Sequence, residues 1–370
     1  MATNMTKIKD VIHYLETIAP HAYQESYDNS GLLTGNDNDE ISGLLISLDC
    51  TEEVVDEAIQ RKCNLIISHH PIIFKGLKKL TGQNYVERTV IKAIQNSIAL
   101  YAIHTNLDNV STGVNFRFAQ KIGLQNLSIL SPKSGTLSKL VTFVPQENFK
   151  EVLHALYKAG AGDIGNYSEC SFNIDGIGTF TPNDKANPSI GNSGEAEEVN
   201  EKRVEVLVPN HKVQRVLGAL RKTHPYEEVA YYLTSLDNLN QEVGAGIVGE
   251  LESEITKEEF LGLLKDKMGL EVIKYTHGYK GSIRKIALCG GAGSFLLNSA
   301  KAVGAHAYIS ADFKYHEFFD AENKLMICDI GHYESEVSTK DLLYDILSKK
   351  FSNFALNLSE IVTNPISYFK

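Results

Sequence analysis

Apolar positions along the chain recur with two different periods. Residues 6–18 set Ile8, Val11, Ile12, Leu15 and Ile18 on one helical face, which predicts an amphipathic packing helix. From residue 43 the pattern changes to short apolar runs that stop abruptly at polar residues. Gly43–Asp49 reads as a strand, and Thr51 then opens a helix carrying Val54, Val55, Ala58 and Ile59, with Glu52 and Glu53 in its first turn. Leu65-Ile66-Ile67-Ser68 is a buried strand that ends in His69-His70-Pro71, where proline prevents further pairing. A helix over about 85–97 leads to strand Ile98–Ile103, which exits into His104-Thr105-Asn106-Leu107-Asp108. The order is βαβαβ, with polar residues at each strand exit, the end of an open α/β sheet at which ligands bind. Asp28-Asn29-Ser30-Gly31-Leu32 is turn-rich and reads as a plain loop, with the rim of a site as the alternative.

The same grammar returns late in the chain. Lys285–Cys289 is a strand, Gly290-Gly291-Ala292-Gly293-Ser294 a tight turn, 295–303 a helix, and Ala307–Ser310 a strand ending at Ala311-Asp312. A helix around Tyr315–Glu322, strand Leu325–Asp329 and a last helix opened by Gly331-His332 follow. We therefore expect an α/β fold of two pseudo-equivalent halves, 1–130 and 244–370, offering strand ends to one crevice. Between them, 131–243 has its own pattern: strand Ser138–Pro145, helix Glu147–Ala159, strands near Ser168–Ile174 and Gly178–Phe180, strand Lys202–Pro209, helix His211–Thr223 and strand Glu228–Ser235. That order approximates a ferredoxin-like α+β domain inserted into a discontinuous core, with a long polar loop at 182–200.

Composition narrows the function classes. The 370 residues are 43% hydrophobic, enough for real cores, and the net charge of −10 argues against direct nucleic-acid binding through phosphate contacts. Five scattered cysteines without a CxxC pair indicate neither a disulfide framework nor a thiolate zinc site. With no signal-type apolar core at the start and no run of membrane-spanning length, a cytoplasmic protein away from membranes is expected.

Chemistry concentrates at the strand ends. His69 and His70 are adjacent, so they serve one ion only if the chain turns there, and two ions side by side are the easier arrangement; a core histidine beside a capping one is the structural alternative. His332 and Glu336, four apart at a helix start, share a face. Together with Asp108 they give five nitrogen and oxygen donors at matching places in the two halves. That set is too large for an open tetrahedral site and fits two divalent ions per chain, with Glu336 or Asp108 as bridge and open positions left for water. Zinc comes first, with manganese, iron or nickel also compatible. Two ions ~3.5–4 Å apart hold a bridging hydroxide that attacks a substrate. Asp49, His104 and Asn106, which end neighbouring strands, orient the ligands or act as general base; His104 is the strongest candidate, as a proton shuttle or a structural hydrogen bond. Gly290–Ser294 presents backbone N–H groups to a phosphate or is simply a turn. Asp312, His316 and Glu317 rank lower in the same crevice.

The stretches SHHP, HTNLD and GHYESE, with LISLD and ISAD…YHE, resemble the NIF-three-like dinuclear-metal-centre family, whose bacterial members are labelled GTP cyclohydrolase I type 2 homologues. The resemblance assigns metal ligation to His69, His70, Asp108, His332 and Glu336, and implies a toroidal homohexamer. Gly160–Phe172, Gly176–Pro182 and His224-Pro225-Tyr226-Glu227-Glu228 are similar to the insert of longer bacterial members, which resembles the PII and CutA-type signalling proteins. The activity implied is metal-dependent hydrolysis of a nucleotide or related anionic compound. A non-enzymatic metal-binding scaffold or sensor, whose insert binds an effector or partner, is the reading from another class.

Overall fold

The computed structural model describes residues 6–369 and divides into two compact units: the chain up to Ser131 together with the chain from Val243 onward, and Pro132–Glu242. In the first unit, a five-stranded sheet runs in the order Gly31–Thr34, Ala99–Ala102, Leu65–Ser68, Gly43–Ser47, Ala355–Leu358. All neighbours are parallel except the edge pair Gly31–Thr34 with Ala99–Ala102. Parallel strands covered on both faces read as continuous apolar runs, and Leu65–Ser68 is buried at every position.

Alternate residues of these strands serve opposite faces. Leu44, Ile46, Leu65 and Ile67 pack with Ile8, Val11 and Leu15 of helix Ile8–Ile18 and with Leu343 and Leu347 of helix Thr339–Ser348. Leu45, Ile66 and Leu100 pack against Val54, Val55 and Ala58 of helix Glu52–Gln60 and Ala93 of helix Tyr85–Gln95. Register places Ser47 beside Ser68 and Ser68 beside Ala102. The residues that follow, Asp49, His69, His70 and His104, therefore all leave the sheet at one edge.

A second sheet of the same unit is ordered Lys274–Tyr275, Met326–Asp329, Ala307–Ala311, Ile283–Ala292, Asn240–Ile255, Gln125–Lys133. Its three central strands are parallel, with Ser310 beside Asp329, so Asp312 and His332 follow neighbouring strand ends. The two halves are less separate than the sequence suggests. Ala355–Leu358 pairs with Gly43–Ser47 in the first sheet, and Gln125–Lys133 joins the second, so each half lends an edge strand to the other.

In the second unit, an antiparallel sheet is ordered Ser171–Phe180, Glu197–Pro209, Leu137–Pro145, Tyr231–Leu236. Helices Phe149–Lys158 and Val213–Thr223 cover one face through Val152, Leu156, Val216 and Leu220, packed on Leu140, Val144, Val204, Val206 and Val208. The break expected between 174 and 178 does not exist, because Ser171–Phe180 is one strand. Gly178 is no interruption: a Cβ there would lie 2.2 Å from the Glu201 carboxylate, which occupies that space and accepts a 2.9 Å bond from the Tyr226 hydroxyl.

Candidate metal centre

Four imidazoles meet where the strand ends of the first unit converge, and each has its Nδ1 tied to a fixed oxygen. His69 Nδ1 lies 2.9 Å from the Ile103 carbonyl, which can only accept, so that nitrogen carries the proton and Nε2 keeps its lone pair. His70 Nδ1 is 2.7 Å from Asp49, His104 Nδ1 is 2.7 Å from Asp28, and His332 Nδ1 is 2.7 Å from Asp312. Carboxylates and carbonyls behind Nδ1 fix the ring plane and aim Nε2, the usual support of a metal-ligating histidine.

The Nε2 atoms of His69, His70 and His332 turn toward Glu336, and that of His69 also toward Asp108. Glu336 is divided between two sets: Oε1 lies 3.9 Å from His69 Nε2, whereas Oε2 is 3.0 Å from both His70 Nε2 and His332 Nε2. Asp108 Oδ1 is 3.6 Å from His69 Nε2. Donor atoms of His69, Asp108 and Glu336, of His70, His332 and Glu336, and of His69, His70 and His104 lie within 4.8 Å of one another.

Local sequence explains the placement. Helix His332–Glu336 starts at Gly331, whose φ of 93° suits glycine, and one turn brings His332 and Glu336 to the same side. The short helix Thr105–Asp108 follows directly on His104 and carries Asp108 back toward His69. Asn115 fastens the two halves at this point, donating to the Asp108 carbonyl and accepting from the Gly290 N–H.

Electrostatics show what the cluster lacks. His69 is fully buried and its Nε2 has no hydrogen-bond partner; Asp108 Oδ1 is likewise shut away without one. Each such group costs about 1–3 kcal/mol. Burial holds the His69 imidazole below its ordinary pKa, hence neutral, while burial and then the charge of Glu336 push the Asp108 carboxyl well up. Burial also disfavours a charged His70, yet Asp49 and Glu336 outweigh it and raise that imidazole to about 10; Glu336 and Asp312 likewise bring His332 to about 9. Two imidazoles with Nε2 atoms 3.4 Å apart are nevertheless poor neighbours as protonated groups. Donors bound to one cation at about 2.0–2.1 Å stand at such separations, so the residues fit divalent ions by donor type and by the orphaned lone pairs of His69 and Asp108.

The other residues sort clearly. Asp49 stands behind His70, whose Nδ1 it holds at 2.7 Å, and accepts a 2.5 Å bond from Thr363, which fits the orienting role rather than that of general base. Asn106 is buried, bonded to the Ala19 carbonyl and the His104 N–H, and does not reach the cluster. His316 stacks against Phe319, and Glu317 caps the Lys314 N–H, so neither lines the cleft. In the glycine turn the Gly290 N–H goes to Asn115 and the Gly291 N–H to the Ser335 hydroxyl, so these two are not turned to a phosphate. The loop read as plain supplies Asp28, whose carboxylate takes His104, Thr105 N–H, the Thr105 hydroxyl, Ser30 and Asn29 N–H. The rim of a site, the alternative reading of this stretch, is thus the one the structure favours, but its partner is not legible in the sequence, since only the fold brings residue 28 to residue 104; Thr363 and Ser335 escape the sequence for the same reason.

The family model for Duf34/NIF3 (NGG1p interacting factor 3) matches residues 6–365. The chain belongs to this family. The Bacillus subtilis (strain 168) relative named GTP cyclohydrolase 1 type 2 homolog is 37% identical over 365 residues, covering 97% of this chain and 98% of its own. Among solved structures, a Bacillus cereus protein related to NIF3 superposes with a TM-score of 0.88 at 36% identity, covering 99% of this chain and 100% of that one. A Staphylococcus aureus protein gives 0.79 at 30% identity, with 100% of both chains covered. In this Duf34/NIF3 member the histidine and carboxylate groups can hold metal ions. No helix among the described residues is long and apolar enough to cross a membrane.

Proposed function

We propose that this protein is a metal-dependent hydrolase whose centre takes two divalent ions, held by His69, His70, Asp108, His332 and Glu336. The observation that carries the reading is the division of Glu336: one carboxylate oxygen faces His69, and the other faces His70 and His332, as a bridging carboxylate requires. When bound, such ions supply Lewis-acid polarisation of a substrate atom and make water acidic near neutral pH. The chain's own residues do the rest. Asp49, Asp312 and the Ile103 carbonyl keep three imidazoles turned with Nε2 inward. His104, held by Asp28 and part-exposed in a cleft of about 510 Å³, takes and returns a proton at Nε2. The name carried by the curated relatives, GTP cyclohydrolase 1 type 2 homolog, supports a nucleotide or related anionic compound as substrate. For Pro132–Glu242, the βαββαβ order and its antiparallel sheet support a ferredoxin-like, PII/CutA-type insert.

The test is metal content per chain of protein purified without added metal, compared with Glu336→Ala. About two ions, both lost in the variant, is the expected result. Retention of both ions by Glu336→Ala refutes the shared carboxylate, and an ion-free wild type that stays empty when zinc or manganese is offered refutes the centre.

A further inference from the structure

The cleft over the cluster has two properties that the metal chemistry does not use. First, its wall is aromatic: Tyr27, Phe74 and Phe295 line it while remaining 62%, 44% and 65% exposed. These rings come from loops of both sheets. Tyr27 and Phe74 lie with ring centroids 6.4 Å apart, and Phe74 stands 6.3 Å from the His104 imidazole, edge to face. A flat ligand lying on Phe74 is thereby set beside His104 and the converging Nε2 atoms. Aromatic faces left open beside reactive groups bind planar rings by stacking, whatever the ring's hydrogen-bonding pattern.

Second, among the described residues that line the cleft there is no lysine or arginine, whereas Glu25, Asp49, Asp108 and Glu336 all do. Two divalent ions would only offset those four carboxylates. Sites that bind polyphosphates surround them with cationic side chains or aimed backbone N–H groups. Here the candidate N–H groups, Gly290 and Gly291, already donate to Asn115 and Ser335. With its imidazoles engaged by metal, the cleft offers an entering triphosphate no lysine or arginine to neutralise it.

We propose that the cleft selects a planar heteroaromatic ring without a phosphate chain, that is a nucleobase or nucleoside rather than its triphosphate. The inference rests on the cleft being the substrate site of the hydrolase proposed above, and it departs from the anionic substrate that the sequence suggests. The volume of about 510 Å³ lies within the ordinary range for sites that enclose small ligands.

Titration calorimetry of the metal-bearing full chain with guanosine, GTP and inorganic tripolyphosphate tests this, with metal content measured before and after each titration. The expected result is guanosine binding at least tenfold tighter than GTP, no displacement of guanosine by tripolyphosphate, and guanosine affinity reduced about tenfold or more in Phe74→Ala at unchanged metal content, the scale of a lost base–aromatic stack. GTP binding as tightly as guanosine, competition by tripolyphosphate, an unaffected Phe74→Ala, or no guanosine binding each overturns it. Metal present without nucleoside preference defeats this inference alone. Guanosine bound by a chain that takes up no metal defeats the hydrolase reading instead.

Discussion

Gly291→Ala isolates the link between backbone conformation and the candidate centre. Gly291 has φ of +60°, and a Cβ added there would stand 2.4 Å from Glu336 Oε1 and 3.2 Å from both Glu336 Cδ and His332 Cε1. The left-handed conformation costs an alanine about 1–2 kcal/mol. The collision adds a second effect, because the Glu336 side chain is only 4% exposed and its other oxygen is held by His70 and His332 at 3.0 Å. An ordinary carbon–oxygen contact requires the carboxylate to retreat by about 1 Å, several times the roughly 0.2 Å tolerance of ligand positions in a metal site. Gly304→Ala supplies the control: Gly304 has φ of +69° with nothing within 4 Å of the added Cβ. Gly291→Ala should lose at least as much stability in denaturant melts as Gly304→Ala, and competition with a chelator should show metal affinity lowered about 10- to 100-fold in Gly291→Ala only. Equal metal affinity in the two variants would refute the reasoning, since the strain would then act without reaching Glu336.

Two further outcomes follow from hydrogen bonds away from the cluster. Thr363→Val removes the 2.5 Å bond to Asp49 and so loosens the group that orients His70; metal affinity should fall less than tenfold, stability by about 0.5–1.5 kcal/mol, and Thr363→Ser should restore both, whereas failure of the serine to do so would show that packing rather than the hydroxyl matters. Glu87 accepts the Thr81 and Gln83 N–H groups, the Thr81 hydroxyl and the Asn84 amide at the start of helix Tyr85–Gln95, which hold its carboxyl at about 2. A depressed folded pKa gives stability that is present above the ordinary value near 4.5 and lost as pH falls toward about 2. Glu87→Gln should therefore lower the melting temperature at pH 7 and lessen its decline between pH 4.5 and 2; parallel wild-type and variant curves would sink that account.

How much of this could be read from the chain depended on whether the signal was local. Strand Leu65–Ser68 and helix His332–Glu336 announce themselves because an apolar run stopped by His69-His70-Pro71, and a histidine and glutamate four apart, are patterns within a few residues. Parallel pairing then gathers the strand exits, so five donors separated by as many as 267 positions in the numbering meet with neighbouring donor atoms 3.0–3.9 Å apart. The residues that aim those donors were not legible in the same way. Asp28 sits in a turn whose composition is that of any loop, and its bonds to His104 and Thr105 exist only once Gly31–Thr34 pairs with Ala99–Ala102 and brings residue 28 beside residue 104. Thr363 lies beyond Ala355–Leu358, a strand with no flag in the sequence, whose pairing with Gly43–Ser47 carries the end of the chain to Asp49. The donors are thus written in short motifs, whereas their orientation is written in the sheet order. A substitution that spares every histidine but shifts an edge strand should disturb the centre as surely as the loss of a ligand.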